Sequence, residues 1–373
     1  MNNEHQRSDR AMLHQTELTR TYPCAACGGQ LEFDISGQQL RCPFCGAIAA
    51  VAAPDGRPRA REFHSTMNEW RALAANSAGP QVTGEWEVVC QSCGGHTTFT
   101  GSLTATRCPY CTTPIQRDDV HNAPARLPVD GVVPFAVDEK RGRELVERWV
   151  RGRWFAPSEF KAYKRIGSFA SVYTAYFTYD ADTHTRYRGE RGEEYRVQVG
   201  SGDNKRTVTK VRWHRASGEV RNDFVDVPVL ANDGLDRDKI RELEPWPMDQ
   251  ARQYSPEYVA GHLCRTYDRD AEQSLPEARE WMERSIRSAV ERDIGGDRQR
   301  IHHLDTAWNR LAYKHLLLPI WLLTVIYANK PFQVYINGIT GEVHGERPWS
   351  KIKVAVAVLF ALAVIAGMIV LLR

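Results

Sequence analysis

Lysine is missing from the first 120 residues, which carry ten arginines against twelve Asp and Glu. Affinity for DNA or RNA rests on neutralising phosphates with Lys and Arg, so this region is poorly built to hold nucleic acid. The formal net charge of +3 for the whole chain does not restore the argument, because eight thiolates on two divalent ions would turn it into −1. Short catalytic patterns are missing as well. There is no Gly-x4-Gly-Lys-Ser/Thr phosphate loop, no Gly-x-Gly-x2-Gly, no His-Glu-x2-His and no Gly-x-Ser-x-Gly. The expectation is a protein that is not an enzyme. The N-terminus has no basic patch followed by an apolar run, so no secretory signal is expected. That places the head in the reducing compartment where it is made, and there cysteines are metal ligands more often than disulfides.

What is present is a repeat. Residues 24–45 (CAACGGQLEFDISGQQLRCPFC) and 90–111 (CQSCGGHTTFTGSLTATRCPYC) are offset by 66 residues, and both read Cys-x2-Cys-x14-Cys-x2-Cys. Zinc takes four ligands in a tetrahedron with Zn–S near 2.3 Å. A Cys-x2-Cys knuckle wraps one side of it, and a 14-residue excursion is long enough for a hairpin that returns the second knuckle to the same ion. The metal-ligating candidates are therefore Cys24, Cys27, Cys42 and Cys45 in the first module, and Cys90, Cys93, Cys108 and Cys111 in the second. Gly28 and Gly94 follow the first knuckles, where left-handed backbone is needed for amides to face sulfur. Phe33 and Phe99 are expected to pack each hairpin. Modules this small do not fold on apolar burial alone; zinc supplies roughly 10–16 kcal/mol of apparent stabilisation. Two Zn2+ ions are expected, with iron in a rubredoxin-like site the alternative. A closed four-thiolate site has no open coordination position, so its role is structural. The ninth cysteine, Cys264, is expected as a buried apolar thiol on a helix.

Long apolar runs are scarce, and the longest is 354–372 (VAVAVLFALAVIAGMIVLL), nineteen uncharged residues. As a helix it spans roughly 28 Å, close to a bilayer core. Arg347, Lys351 and Lys353 precede it and Trp349 stands where an interfacial aromatic is expected. The expectation is a tail-anchored, single-pass protein of the inner (cytoplasmic) membrane with its N-terminal head in the cytoplasm, contacting the lipid bilayer through Arg347, Trp349, Lys351 and Lys353. The run 316–327 (LLLPIWLLTVIY) is shorter and contains Pro319. It reads instead as a strand paired with 331–337 across a turn, with a short strand near 341–344.

The block between reads as alternating elements. Helices are expected at 64–75, 138–150, from Pro157 to about Lys164, 256–270 and 275–294, the last stopped by Gly295-Gly296. Strands are expected at 130–136, 170–180, 185–189, 194–200, 206–214 and from Val220 to Leu230. A Pro-aromatic motif followed by helices and a long hairpin at 134–189 has a faint echo at 245–345. The adjacent pair His302-His303 diverges and reads as solvated. The arginine-rich stretch 186–221 could meet anionic lipid, RNA or an acidic partner, but it is interrupted by Glu190, Glu193, Glu194, Asp203 and Glu219, and a solvated strand face is the expectation.

Several of these pieces occur together in a known family. The Cys-x2-Cys-Gly-Gly and Arg-Cys-Pro-Phe/Tyr-Cys knuckles, Val133-Pro134-Phe135, Arg153-Trp154-Phe155-Ala156-Pro157 and Asn337-Gly338-Ile339-Thr340-Gly341-Glu342-Val343 resemble bacterial TFIIB-type zinc ribbon-containing membrane proteins, often loosely labelled primosomal replication helicase-like. The resemblance covers most of residues 20–373. Without a phosphate loop, helicase activity is not expected, and Thr112 stands in the second module where the first has Gly46. The fold expectation is α+β: a flexible tail (1–20), a zinc ribbon (21–50), a linker (51–84), a second ribbon (85–120), an α+β domain with a mostly antiparallel sheet (121–350) and the transmembrane helix (354–372). The functional expectation is a protein-interaction adaptor at the membrane. A membrane-tethered nucleic-acid-binding protein is the alternative.

Overall fold

The computed structural model describes residues 19–20, 22–76, 85–89, 96–100, 102–107, 114–117, 126–153, 156–157, 169–200, 205–233, 235–327, 330–346, 348 and 350–371. The elements, in chain order, are β1 (Thr19–Arg20), β2 (Glu32–Asp34), β3 (Gln39–Arg41), β4 (Ile48–Ala49), β5 (Arg61–Glu62) and α1 (Phe63–Asn76), then β6 (Glu85–Val89), β7 (His96–Thr100), β8 (Leu103–Arg107) and β9 (Pro114–Arg117). They continue with β10 (Gly131–Val132), α2 (Glu139–Arg151), β11 (Phe169–Val199), β12 (Arg206–Leu230), α3 (Arg237–Arg241), β13 (Arg252–Gln253) and β14 (Leu263–Arg265). The chain then forms α4 (Ala271–Ile294), β15 (Arg298–Tyr327), β16 (Lys330–Asn337), β17 (Val343–Gly345) and α5 (Lys351–Leu371).

The centre is an antiparallel pair of long strands, β11 and β15, in register from Phe169↔Leu323 to Gly192↔Arg298. Their inner ends are β-branched, leucine-rich and aromatic, and they are buried on both faces, so a near-continuous apolar run forms there instead of an alternating one. One apolar cluster includes Phe135, Tyr173, Phe177 and Tyr313, and the other is built from Tyr176, Trp246, Leu318 and Tyr335. Farther along, burial in β11 alternates: Thr183, Thr185, Tyr187 and Gly189 are covered while Arg186 and Arg188 are exposed. This half of β11, flanked by β12 and β15, forms a three-stranded arm. The 24-residue α4 lies along one face of it and buries Ser274, Ala278, Met282, Ile286, Val290 and Ile294, one every four residues. Asp270 caps α4 in a reciprocal capping box with Gln273.

An approximate twofold relates the two halves of this core. The units β10–α2–β11 and β14–α4–β15 each run from a short strand through a capped helix into a long strand. Each short strand pairs in parallel with the other unit's long strand: Val132 lies beside Leu317, and Cys264 beside Tyr173. The central register respects the same axis, with Tyr173 opposite Pro319 and Ala175 opposite Leu317. Aromatic contacts repeat too. Phe135, three residues before the cap Asp138, sits 5.2 Å from Trp321; Tyr267, three before the cap Asp270, sits 5.4 Å from Phe177. The echo noticed at 134–189 and 245–345 is thus a real repeat, although its second copy begins at β14.

Several expectations require correction. The fold is not an α+β head on a transmembrane stalk, and its sheet, although most pairings are antiparallel, is not purely so. The sheet is mixed and twelve-stranded, with parallel pairings of β10 with β15 and of β11 with β14. The reason is the exchange of short strands between units, which sequence alternation does not report. The sheet also takes in β8 and β9 of the second cysteine module, β8 pairing with β14. The apolar C-terminal run does form a helix, α5, but among the described residues no helix is long and apolar enough to cross a membrane. Crossing needs about 20 unbroken apolar residues, whereas α5 carries Lys351 and Lys353 in its first turn, and Lys353 Nζ donates to the Ala156 carbonyl at 2.8 Å. The transmembrane, tail-anchored and inner-membrane readings are therefore withdrawn, and with them the interfacial role of Lys353. Arg347 and Trp349 lie outside the described residues, as does the side chain of Lys351.

Smaller differences follow the same logic. The segment 256–270 is a single turn, Pro256–Val259, followed by strand β14, so Cys264 lies on a strand instead of a helix. It is fully buried, as expected of an apolar thiol. The strands expected at 185–189 and 194–200 are parts of the single strand β11. The hairpin of β15 and β16, the strand β17 and helices α1, α2 and α4 form where the sequence placed them. The helix expected after Pro157 lies outside the described residues.

Candidate metal centre

The first cysteine module folds as its spacing demands. β2, β3 and β4 make a small antiparallel sheet, with Phe33 opposite Leu40 and both buried. The hairpin carries the second knuckle back to the first. The knuckles are near copies of one another: Gly28 N donates to Cys24 O at 2.9 Å and Gly46 N to Cys42 O at 3.0 Å. Both glycines are left-handed, with φ of 74° and 75°, a conformation that costs an L side chain strain. Gly28 was legible as such a position; the equal role of Gly46 was not.

The four sulfurs meet. Cys24 Sγ lies 3.6 Å from Cys45 Sγ, Cys27 Sγ lies 3.6 Å from Cys42 Sγ, and all four ligand atoms fall within 4.8 Å of one another. A tetrahedron with Zn–S of 2.3 Å has edges of about 3.8 Å, so the donor set fits a tetrahedral thiophilic ion. Backbone amides bring the thiol below its ordinary range at two of the positions. The Ala26 and Cys27 amides hold the Cys24 thiol below its ordinary range, and the Cys45 amide leads in bringing Cys42 down to about 7. Cys27 is different: the Gly29 amide favours its thiolate, but the neighbouring Cys45 and Cys42 sulfurs raise it to about 12. Four thiolates this close repel one another unless a cation sits among them, which is the electrostatic signature of a metal site. Cys24 and Cys42 are buried while Cys27 and Cys45 are exposed. Among the described residues this is the one group of three or more metal-ligating side chains. Cys90, Cys93, Cys108 and Cys111 lie outside the described residues; Phe99 of that module is buried, on β7 opposite Trp86.

The ribbon is fastened to the sheet. Phe33 N donates to Ala260 O at 2.9 Å, and the Phe33 ring meets Tyr258 edge-on at 5.4 Å. Gln38 Nε2 reaches the Phe135 carbonyl at 2.8 Å. Glu32 accepts both arms of the Arg107 guanidinium, at 2.5 and 2.6 Å, the bidentate geometry that makes Arg–carboxylate pairs directional. Arg107 ends β8, so this pair ties the hairpin of the first module to a strand of the second. Gly261, at φ +83°, lets the chain pass against it; a Cβ there would stand 3.0 Å from Glu32 Cβ. Beneath lies His262, whose Nδ1 meets Ser171 Oγ at 2.7 Å and whose ring burial pushes down to about 4. The twofold mate of that contact is Asp130, which accepts from His315 N at 2.9 Å.

Sequence reasoning found the four ligands but missed Glu32, Gly261 and His262, which act only through long-range contacts. It also missed Phe44 and Ile48, left 74% and 62% exposed beside the cluster. The aromatic shared by the Cys-Pro-Phe/Tyr-Cys knuckles was the available signal. Asn337, in the motif 337–343, is a turn organiser: its Oδ1 accepts from Ile339 N and Thr340 N, and its Nδ2 donates to Leu243 O.

No protein-family model matches the chain, and no solved structure matches it. It is similar to the uncharacterized protein YdjG of Bacillus subtilis (strain 168), with 24% identity over 339 residues that cover 90% of this chain and 92% of that one. The shared length runs through nearly all of both proteins, so the likeness is not confined to the cysteine knuckles.

Proposed function

We propose that the protein is a non-enzymatic adaptor in which two four-cysteine ribbons each hold a structural zinc ion and present a rigid knuckle to a protein partner. The observation that carries this reading is the gathering of Cys24, Cys27, Cys42 and Cys45 within 4.8 Å, beside an exposed Phe44 and Ile48. An exposed aromatic on a cross-linked scaffold is the kind of anchor that dominates protein interfaces. The ion's contribution is a cross-link between knuckles. The chain supplies the surface around it.

A cleft of about 530 Å³ lies between the ribbon and the sheet, lined by Glu32, Arg41, Pro43, Asp138, Phe169 and His262. Its charged side chains are engaged with one another: Glu32 with Arg107, Arg41 with Asp34 at 3.6 Å. The Asp138 side chain caps α2. Ser171 also lines the cleft and meets His262 at 2.7 Å, but burial holds that ring neutral and its Nε2 has no carboxylate partner among the described residues, so no acid orients the pair, in keeping with the non-enzymatic reading.

Elemental analysis of the purified full-length chain, with crosslinking and affinity capture from cells, tests the proposal. Wild type should carry about two zinc ions per chain and Cys24→Ser/Cys27→Ser about one; iron in their place would reassign the sites. The captured set should be lost both in that variant and in Phe44→Glu/Ile48→Glu, which keeps its metal. If the metal-depleted variant captures the same proteins as wild type, the adaptor role of the first ribbon fails.

A further inference from the structure

The arm offers a second surface. Its face opposite α4 is covered by nothing among the described residues, and the strand registers define its rows. Arg221, His184 and Ala307 form one row, followed by Glu219, Arg186 and Asp305, then Ser217, Arg188 and His303, then Arg215, Glu190 and Arg300. Trp213, opposite Gly192, extends it toward the tip, with the Arg300 guanidinium 3.9 Å above its ring.

The carboxylates on this face are mostly spent. Glu219 is held by His184 and Arg186 at 2.8 and 3.0 Å, and Glu190 lies 3.6 Å from Arg300. Among the described residues Arg188, Arg215 and Arg221 make no ion pair; the acids left over are Asp305 on these rows and Asp223 on the row beyond Arg221, fewer than the free arginines. The unneutralised charge is therefore cationic. Side chains on one face of a strand recur about every 7 Å and neighbouring strands lie about 4.8 Å apart, so the three arginines are spread over about 20 Å. A flexible polyanion can follow guanidinium groups at that spacing, and the Arg300 guanidinium, stacked on Trp213, supplies a planar surface for a base.

We propose that this face of the arm binds single-stranded nucleic acid, through phosphates on Arg188, Arg215 and Arg221 and base stacking on the Arg300–Trp213 pair. This surface is separate from the acidic cysteine modules, whose charge disfavours such a partner. It does not depend on the adaptor reading. Single-stranded binders combine a basic track with aromatic platforms, and their affinity falls steeply with salt. An acidic peptide would satisfy the arginines but make no use of the tryptophan.

The test is fluorescence anisotropy of the full chain with a labelled mixed-sequence RNA of about a dozen nucleotides, between about 20 and 200 mM salt, with polyglutamate as competitor. Arg188→Glu/Arg215→Glu/Arg221→Glu should weaken binding at least tenfold at the lowest salt and reduce the salt slope by about two to three. The matching triple lysine variant should keep most of the affinity, and Trp213→Ala should weaken binding several-fold with the slope unchanged. Circular dichroism melting confirms folding of each variant. No salt-dependent binding by wild type, or equal binding by the triple glutamate variant, overturns the proposal. Polyglutamate bound in preference to RNA also overturns it and makes the face a site for acidic protein.

Discussion

At the scale of single residues, the most informative side chain away from sulfur is His262. Burial, with a smaller contribution from Arg107, pushes its imidazole down to about 4, against an ordinary value near 6.5. Above about pH 6.5 both folded and unfolded chains hold it neutral. Below that, the unfolded chain takes up a proton that the folded chain refuses, so its contribution is lost as pH falls from about 6.5 to about 4. The full difference is about 3 kcal/mol. Urea denaturation of wild type and His262→Gln across that interval should show the wild type losing more stability than the variant; parallel profiles would mean the ring is not held neutral. The ligands themselves titrate on acidification in both proteins, which is why the difference between them is the quantity to read. The four cysteines were legible because metal geometry is written into local spacing. His262 was not, because its burial depends on Phe33 and Phe135, both far from it in sequence.

At the scale of elements, legibility followed local signals. Helix α2 could be placed from its apolar spacing, and the stop of α4 from Gly295-Gly296, because caps and periodicity are read over a few residues. The arm was broken into separate strands because Gly189, Gly192 and the dense charges between them resemble a turn. In the structure those positions continue β11, and the glycines make room for cross-strand neighbours, with Trp213 lying across Gly192. Helix α4 holds the arm's covered face through its every-fourth-residue stripe. Met282, at the middle of that stripe, is fully buried. Met282→Ala should cost about 2–5 kcal/mol in denaturant unfolding, while Glu283→Ala, on the exposed side, should stay within about 0.5 kcal/mol. Equal effects at the two positions would mean that α4 does not pack as described.

At the scale of the molecule, the cysteine modules are set into the sheet. The first is bonded to Ala260 and Phe135, and β8 of the second pairs with β14. A linker reading of the chain suggested beads on a string, because composition marks where packing is weak but not where distant segments meet. Metal loss should therefore be felt beyond the ribbon. Stripping metal with a chelator should raise amide exchange jointly in 31–41 and 260–265, and lower the thermal midpoint of the whole protein. Exchange confined to 24–46 would show that the ribbon moves independently of the sheet.

The exchanged short strands carry a consequence for how the chain is made. β10 completes a strand that comes almost two hundred residues after it, so the first unit leaves the ribosome with an unfilled edge. At about 5–20 residues per second, that edge waits for tens of seconds. Until β15 arrives, Val132, Val133 and the inner end of β11 are sticky surface, and the nascent half is a natural client for a chaperone.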